Sequence, residues 1–276
     1  MSHSRITRRM AELKARGRKA LIPYVVAGDP APQVTVPLMH AMVEAGADVI
    51  ELGMPFSDPF ADGPVNQRGA ERAIASGMTL PGVLAAVAEF RQTDTETPVV
   101  LMGYLNPVLA MGEAAFCDQA VDAGVDGLLI VDMPPEEEGG LVARAKSKGL
   151  DMIYLAAPTT TDARMALIGK ATSGYLYYVS LKGVTGSSKL NTAEVAAKID
   201  AMRAHVSAPI CVGFGIRTPE DAARIGVAAD GIIVGTVLVS QVEALANRPE
   251  DVPAAIAALL QPMRDAMDQA TAMDVK

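Results

Sequence analysis

The chain has 276 residues, half of them hydrophobic, with 24 lysines and arginines against 32 acidic residues and a formal charge of −8. That balance leaves no broad basic field to neutralise phosphates, which excludes a nucleic-acid partner; an anionic substrate would have to be held by local donors. The length suits two average domains or one α/β barrel, and the apolar half is enough for a single large core.

A leading helix is predicted over Ile6–Arg16; the basic N-terminus around it never enters an apolar run, so it is not a signal peptide. A strand over Ala20–Ala27 and a helix over Gln33–Ala45 follow. A phrase then recurs. Gly46-Ala47-Asp48 precedes Val49-Ile50, Gly124-Val125-Asp126 precedes Leu128-Leu129-Ile130, Gly149-Leu150-Asp151 precedes Met152-Ile153-Tyr154, and Gly226 through Asp230 precedes Ile232-Ile233-Val234. Each reads as a helix ended by glycine, a polar turn and a buried strand. Further strands are expected at Pro98–Met102, Tyr175–Val179 and Pro209–Gly213. Helices are expected at Leu80–Arg91, Glu113–Ala123, Pro135–Lys148, Ala163–Lys170, Thr192–Ala204, Pro219–Ile225 and Val252–Ala270. Eight βα units predict an α/β protein, one (β/α)8 TIM-barrel domain over residues 1–276 with an extra N-terminal helix.

Two connections are too long for a plain barrel, from Gly53 to about Met78 after strand two and from Leu181 to about Leu190 after strand six. Both leave the carboxyl ends of strands, where barrel active sites are built, and the glycines and serines of the second suggest a lid.

Glu51 breaks an apolar strand. Period two places it with Val49 on one face, which in a closed barrel is the lumen near the active end. A carboxylate there is costly unless solvated, paired or protonated, so it suggests chemistry; a strand-end glutamate can also turn out to water. Gly213-Phe214-Gly215 ends strand seven, and Gly235-Thr236 ends strand eight ahead of a helical stretch. Glycines admit close backbone approach and a helix start offers unpaired N–H groups, so these loops, with Gly186 from strand six, could form a phosphate cup.

Rival chemistries find less support. His3, His40 and His205 form no metal cluster, and Lys182, the lysine beside a strand's active end, lies off the lumen register. Cys117 and Cys211 form no C-x-x-C, which fits a reducing cytoplasm, and the longest apolar stretch, Gly231 to Val239, is too short to span a bilayer.

The run Glu51-Leu-Gly-Met-Pro-Phe-Ser-Asp-Pro-Phe-Ala-Asp-Gly-Pro64 resembles the signature of the tryptophan synthase alpha subunit family. Further matches follow in family order. They are Ile22-Pro23-Tyr24 with Gly28-Asp29-Pro30, Met102-Gly103-Tyr104-Leu105-Asn106-Pro107, Val131-Asp132-Met133-Pro134, Ala157-Pro158-Thr159, Tyr177 with Gly183-Val184-Thr185-Gly186, and Val212-Gly213-Phe214-Gly215-Ile216.

The resemblance implies a lyase that cleaves indole-3-glycerol phosphate, with Glu51 as acid/base, Asp62 accepting the indole N–H and Tyr177 at the reacting end. It implies an indole pocket of Tyr24, Met102, Leu129 and Leu155, and phosphate contacts from Gly186, Gly215, Gly235 and Thr236, where the family usually has serine in place of Thr236. It further implies a lid residue, Thr185, bonded to Asp62, and partner contacts at Asp58 and Pro59. The expected partner is a beta subunit in an αββα assembly, which would carry pyridoxal phosphate; no cofactor is expected in this chain. Leu181-Lys182 departs from the family's lid pattern. A free-standing lyase, or a chiefly regulatory binding subunit, stays open.

Overall fold

Along the strands, alternate side chains belong to different cores. Ala20, Ile22, Val49, Val100, Leu129, Ile153, Tyr175, Cys211 and Ile233 form one cluster, which is completed from below by Ile6, Met10 and Leu13 of the first helix. Their strand neighbours, such as Leu21, Ile50, Leu101, Leu128, Leu176 and Ile232, join the helices in the other. The period-two pattern of a closed barrel accounts for both: one set fills the lumen, the other the shell under the helices.

The computed structural model describes residues 4–137, 139–180, 192–213 and 215–274. In chain order it runs α1 (Arg5–Ala15), β1 (Ala20–Val26), α2 (Thr35–Glu44), β2 (Ile50–Gly53), α3 (Pro64–Ala75), α4 (Leu80–Phe90), β3 (Val99–Gly103), α5 (Leu105–Met111), α6 (Glu113–Ala123) and β4 (Gly127–Ile130). It continues with α7 (Gly140–Ser147), β5 in two segments (Asp151–Met152 and Tyr154–Ala156), α8 (Asp162–Ala171), β6 (Leu176–Val179), α9 (Thr192–Arg203), β7 (Ile210–Gly213), α10 (Pro219–Ala228), β8 (Gly231–Val234), α11 (Thr236–Ala244) and α12 (Val252–Asp274). All pairings are parallel. The first segment of β5 bonds to β4 and the second to β6, so the interruption at Ile153 completes the circuit of eight staves.

The recurring glycine-to-aspartate phrase fastens the amino-terminal end of the barrel. Asp48 accepts the backbone N–H of Leu21 at 2.9 Å, Asp126 that of Val99 at 2.8 Å, and Asp230 that of Ile210 at 2.8 Å. Each aspartate thus pairs an otherwise orphaned N–H at the start of the adjacent strand. Arginines neutralise the charge: Arg264 on Asp48, Arg5 and Arg91 on Asp126, Arg203 on Asp230. Asp151 instead accepts the Ser4 hydroxyl, which also caps α1.

Three elements differ from the sequence expectation. The connection after β2 contains α3, started by Pro64 at its first position after Gly63. Its buried face is only Gly69, Ala70 and Ala73, too small to give an apolar stripe. A short helix, α5, follows β3 directly, and α7 starts at Gly140 instead of Pro135. The expected lid, Leu181 to Leu190, lies outside the described residues. Among the described residues no single helix is long and apolar enough to cross a membrane.

Candidate active site

Glu51 enters the lumen from β2 and has no exposed surface. From the residue just before the opposite stave, β6, the hydroxyl of Tyr175 donates to its Oε1 at 2.5 Å, while Oε2 has no partner among the described residues. Burial disfavours the charged form and raises the pKa from 4.5 to about 8, with the Tyr175 hydrogen bond pulling the other way. At neutral pH this group is a carboxylic acid with a proton to give.

Two more tyrosines, Tyr24 on β1 and Tyr177 on β6, belong to the same electrostatic unit. Burial, and then the negative charge of Asp62 and Glu51, pushes both hydroxyls well above their ordinary range, so they remain neutral donors. Glycine on the neighbouring strand makes room for each ring. A Cβ on Gly53 would meet the Tyr24 hydroxyl oxygen at 2.7 Å, and one on Gly213 would lie 2.5 Å from the Tyr177 ring.

Asp62 is half-buried in the connection between β2 and α3. Its Oδ2 accepts from Tyr104 at 2.7 Å, and its Oδ1 faces the Asn66 amide at 3.5 Å. Gln67 fixes the same connection by donating to the Asp62 carbonyl at 2.9 Å. Burial raises the Asp62 pKa, and Tyr104 and then Asn66 oppose the shift. The two carboxyl groups therefore sit in unlike surroundings, one sealed in the lumen and one held by neutral donors near the mouth. Unlike surroundings separate acid from base.

The remaining expected residues among those described fall at the same end. Met102 and Leu155 are half-buried in the lumen, while Leu129 is fully covered by its neighbours. Gly235 caps α11 without a side-chain bond, and Thr236 is exposed at the first helical position. The first α11 bond runs from Leu238 N–H to Gly235 at 2.8 Å, so the N–H groups of Thr236 and Val237 have no acceptor within the helix. Gly215 has a φ of +80°, a conformation that favours glycine. Thr185 and Gly186 lie outside the described residues. Asp58 is exposed and Pro59 half-buried on the rim, beside Phe60 at 74% exposure.

Sequence reasoning did not single out Tyr104, Tyr175 or Asn66. Tyr175 shares the lumen register of Tyr177 and could have been found by period two; nothing local marks Asn66. A salt-bridged clamp was also missed. Arg72 of α3 grips Asp29 through two 2.8 Å bonds, and Arg68 and Arg72 both reach Glu243 of α11. The loop after β1, the helix following Asp62 and the helix started by Gly235 are thereby fixed together.

A cavity of about 300 Å³ lies instead at the opposite end, lined by Met10, Lys14, Arg18, Lys19, Arg203 and Asp230 among others. Its polar groups are largely engaged in structure: Arg203 pairs with Asp230, and Lys19 donates to the carbonyls of Val227 and Ala229 at the end of α10. The buried carboxylic acid lies at the other mouth.

A neutral carboxylic acid sealed in the lumen, a second carboxylate near the mouth and tyrosine hydroxyls between them define an acid–base enzyme of the (β/α)8 class. Comparison with known proteins makes the class particular. The family described as tryptophan synthase alpha chain matches residues 10–268. The alpha chain of Nitrosococcus oceani is 56% identical over 265 residues, 96% of this chain and 98% of that one, and that of Laribacter hongkongensis is 56% identical with 96% and 99% covered. The crystal structure of tryptophan synthase subunit alpha from Legionella pneumophila superposes with a TM-score of 0.91 at 47% identity, covering 97% of this chain and 100% of that one. A tryptophan synthase structure from M. tuberculosis superposes with a TM-score of 0.84 at 33% identity, covering 96% and 98%. The chain belongs to the tryptophan synthase alpha chain family.

Proposed function

We propose that the chain cleaves indole-3-glycerol phosphate to indole and glyceraldehyde 3-phosphate by a retro-aldol reaction. The observation that carries this reading is Glu51, protonated at neutral pH by burial in the lumen. An indolyl carbanion leaves poorly, so C3 of the ring must first take a proton, and Glu51 supplies it. Asp62 accepts the ring N–H and offsets the positive charge that develops there. The side-chain hydroxyl then gives up its proton, to Glu51 now ionised, as the carbon–carbon bond breaks and the aldehyde forms. One proton enters at C3 and one leaves the hydroxyl, so the acid is restored.

Tyr177 borders the reacting carbons, and Tyr24, Met102, Leu129 and Leu155 enclose the ring. The phosphate sits on the start of α11, against Gly235 and Thr236, with Gly215 and Gly186 admitting close approach. Thr185 closes the lid on Asp62. Indole passes to a beta subunit that carries pyridoxal phosphate, in an αββα assembly contacted through Asp58 and Pro59; this chain needs no cofactor of its own. Two free, buried cysteines support a cytoplasmic setting.

An indole-release assay on the purified chain, alone and with a beta subunit, tests the reading. Release by the wild type and its loss in Glu51→Gln are expected. A Glu51→Gln chain that keeps more than about half the rate would overturn it, since acid–base catalysis is typically worth about 10²–10⁴-fold.

A further inference from the structure

The cleft at the amino-terminal end of the barrel, about 300 Å³ in volume, opens between the last turns of α1 and the segment that enters β7. Met10, Leu13, Ala208 and Pro209 give it an apolar floor. Four cations line it, Lys14, Arg18, Lys19 and Arg203, against a single carboxylate, Asp230. The chain as a whole carries a formal charge of −8, so this concentration of positive charge comes from the fold and not from the composition. Most of the cations have partners. Arg18 pairs with Asp268 at 3.1 Å and Asp48 at 3.4 Å, Arg203 with Asp230 at 3.1 Å, and Lys19 donates to backbone carbonyls. Lys14 is different. It is exposed and has no partner among the described residues, and neither has the Ser207 hydroxyl.

The backbone donors at the cleft are already used. The N–H groups of Arg16, Gly17 and Arg18 bond back to the end of α1, that of Ala20 to the Asp230 carbonyl, and that of Ile210 to the Asp230 carboxylate. Bare phosphate is typically held by converging backbone N–H groups, and it finds none here. What the cleft offers is an apolar surface with one uncommitted ammonium group at its rim. We propose that it is a second ligand site, separate from the lumen, for a small amphipathic carboxylate. The apolar body lies on Met10, Leu13 and Pro209, and the charge pairs with Lys14. Small-molecule pockets run from about 300 to 1,000 Å³, so the volume suits a single ring with a short acidic tail. Met10 and Leu13 also close the lumen core from below, so the ligand braces α1 against the start of β7.

The test titrates hydrocinnamate, and its uncharged counterpart hydrocinnamamide, into the purified chain, followed by methyl NMR and thermal unfolding. Hydrocinnamate should bind saturably with a Kd of about 1 mM, a reasonable strength for so few atoms. It should shift the methyl signals of Met10 and Ala208, leave that of Met102 in the lumen in place, and raise the unfolding midpoint, since it binds only the folded chain. The amide should bind about tenfold more weakly, the worth of one hydrogen bond to a charged group. Lys14→Glu should cause the same loss and Lys14→Arg should restore binding; Lys14 is exposed, so both variants should keep the unliganded midpoint of the wild type. Four results overturn the proposal: no saturable binding by about 10 mM, ten times the expected Kd; a shift at Met102 in place of Met10; equal affinity for acid and amide; or undiminished binding to Lys14→Glu. None of them depends on the reaction in the lumen.

Discussion

Tyr175 and Glu51 bond across the full width of the barrel, from the residue just before β6 to the opposite stave β2, at 2.5 Å. The contact places a donor on a fully buried carboxyl group, where it opposes the rise that burial imposes on that group's pKa.

Tyr175→Phe removes the donor. The Tyr175 hydroxyl stabilises the ionised form of Glu51, so its loss raises the pKa above the present value of about 8. An acid works while protonated, and the rate falls as pH rises through its pKa. The alkaline limb of the kcat profile should therefore move to higher pH. A limb that stays, or moves down, contradicts the assignment.

Glu51→Gln should stabilise the fold while abolishing turnover. In the wild type the folded pKa of about 8 exceeds the ordinary value of 4.5, so the folded chain binds the proton more tightly than the unfolded one. This group's contribution to stability is full below about pH 4.5 and declines as pH climbs to about 8. The variant lacks that decline. Thermal midpoints at pH 9 should favour Glu51→Gln, and the gap should narrow toward pH 4.

Gly213→Ala tests the space beneath Tyr177. The added methyl would lie 2.5 Å from the ring, which has to tilt out of its site. Overpacking of this kind costs about 1–3 kcal/mol, so the chain should fold with a lowered midpoint. Activity should fall about tenfold or more, because a small displacement at a reacting centre has a large effect on rate. Normal kinetics would show that Tyr177 is not needed where it stands.

Arg72→Leu breaks the clamp and strands Asp29, whose side chain is 1% exposed. Removing one partner of a buried pair costs about 3–5 kcal/mol. The double variant with Asp29→Asn should recover part of the loss, and calorimetry would show the non-additivity. Purely additive losses would mean that the two side chains do not act as a unit.

The strands were legible because parallel strands covered on both faces read as uninterrupted apolar runs, and the glycine-to-aspartate phrase marked where several begin. Glu51 was legible for the opposite reason: a charge within such a run has few explanations. Helix α3 was not, since Gly69, Ala70 and Ala73 give almost no hydrophobic contrast with their neighbours. Period two put Tyr175 in the lumen, but its pairing with Glu51, 124 residues away, leaves no local trace, and neither does that of Tyr104 with Asp62, 42 residues away. The clamp of Arg72 on Asp29 spans 43 residues and was hidden for the same reason.

The staves of the barrel are not equally joined. The ladder between β4 and β5 has two registered pairs, where the other ladders have three or four. It falls between the fourth and fifth staves, midway through the count. Breathing of the cylinder would begin at this seam, since local opening starts where the fewest bonds must part. What opens there is a single curved sheet whose two edges are the fourth and fifth staves, consecutive in the chain. A chain re-ligated at its ends and cut in the β4–β5 connection would therefore begin and finish at the place where the native wall is already thinnest.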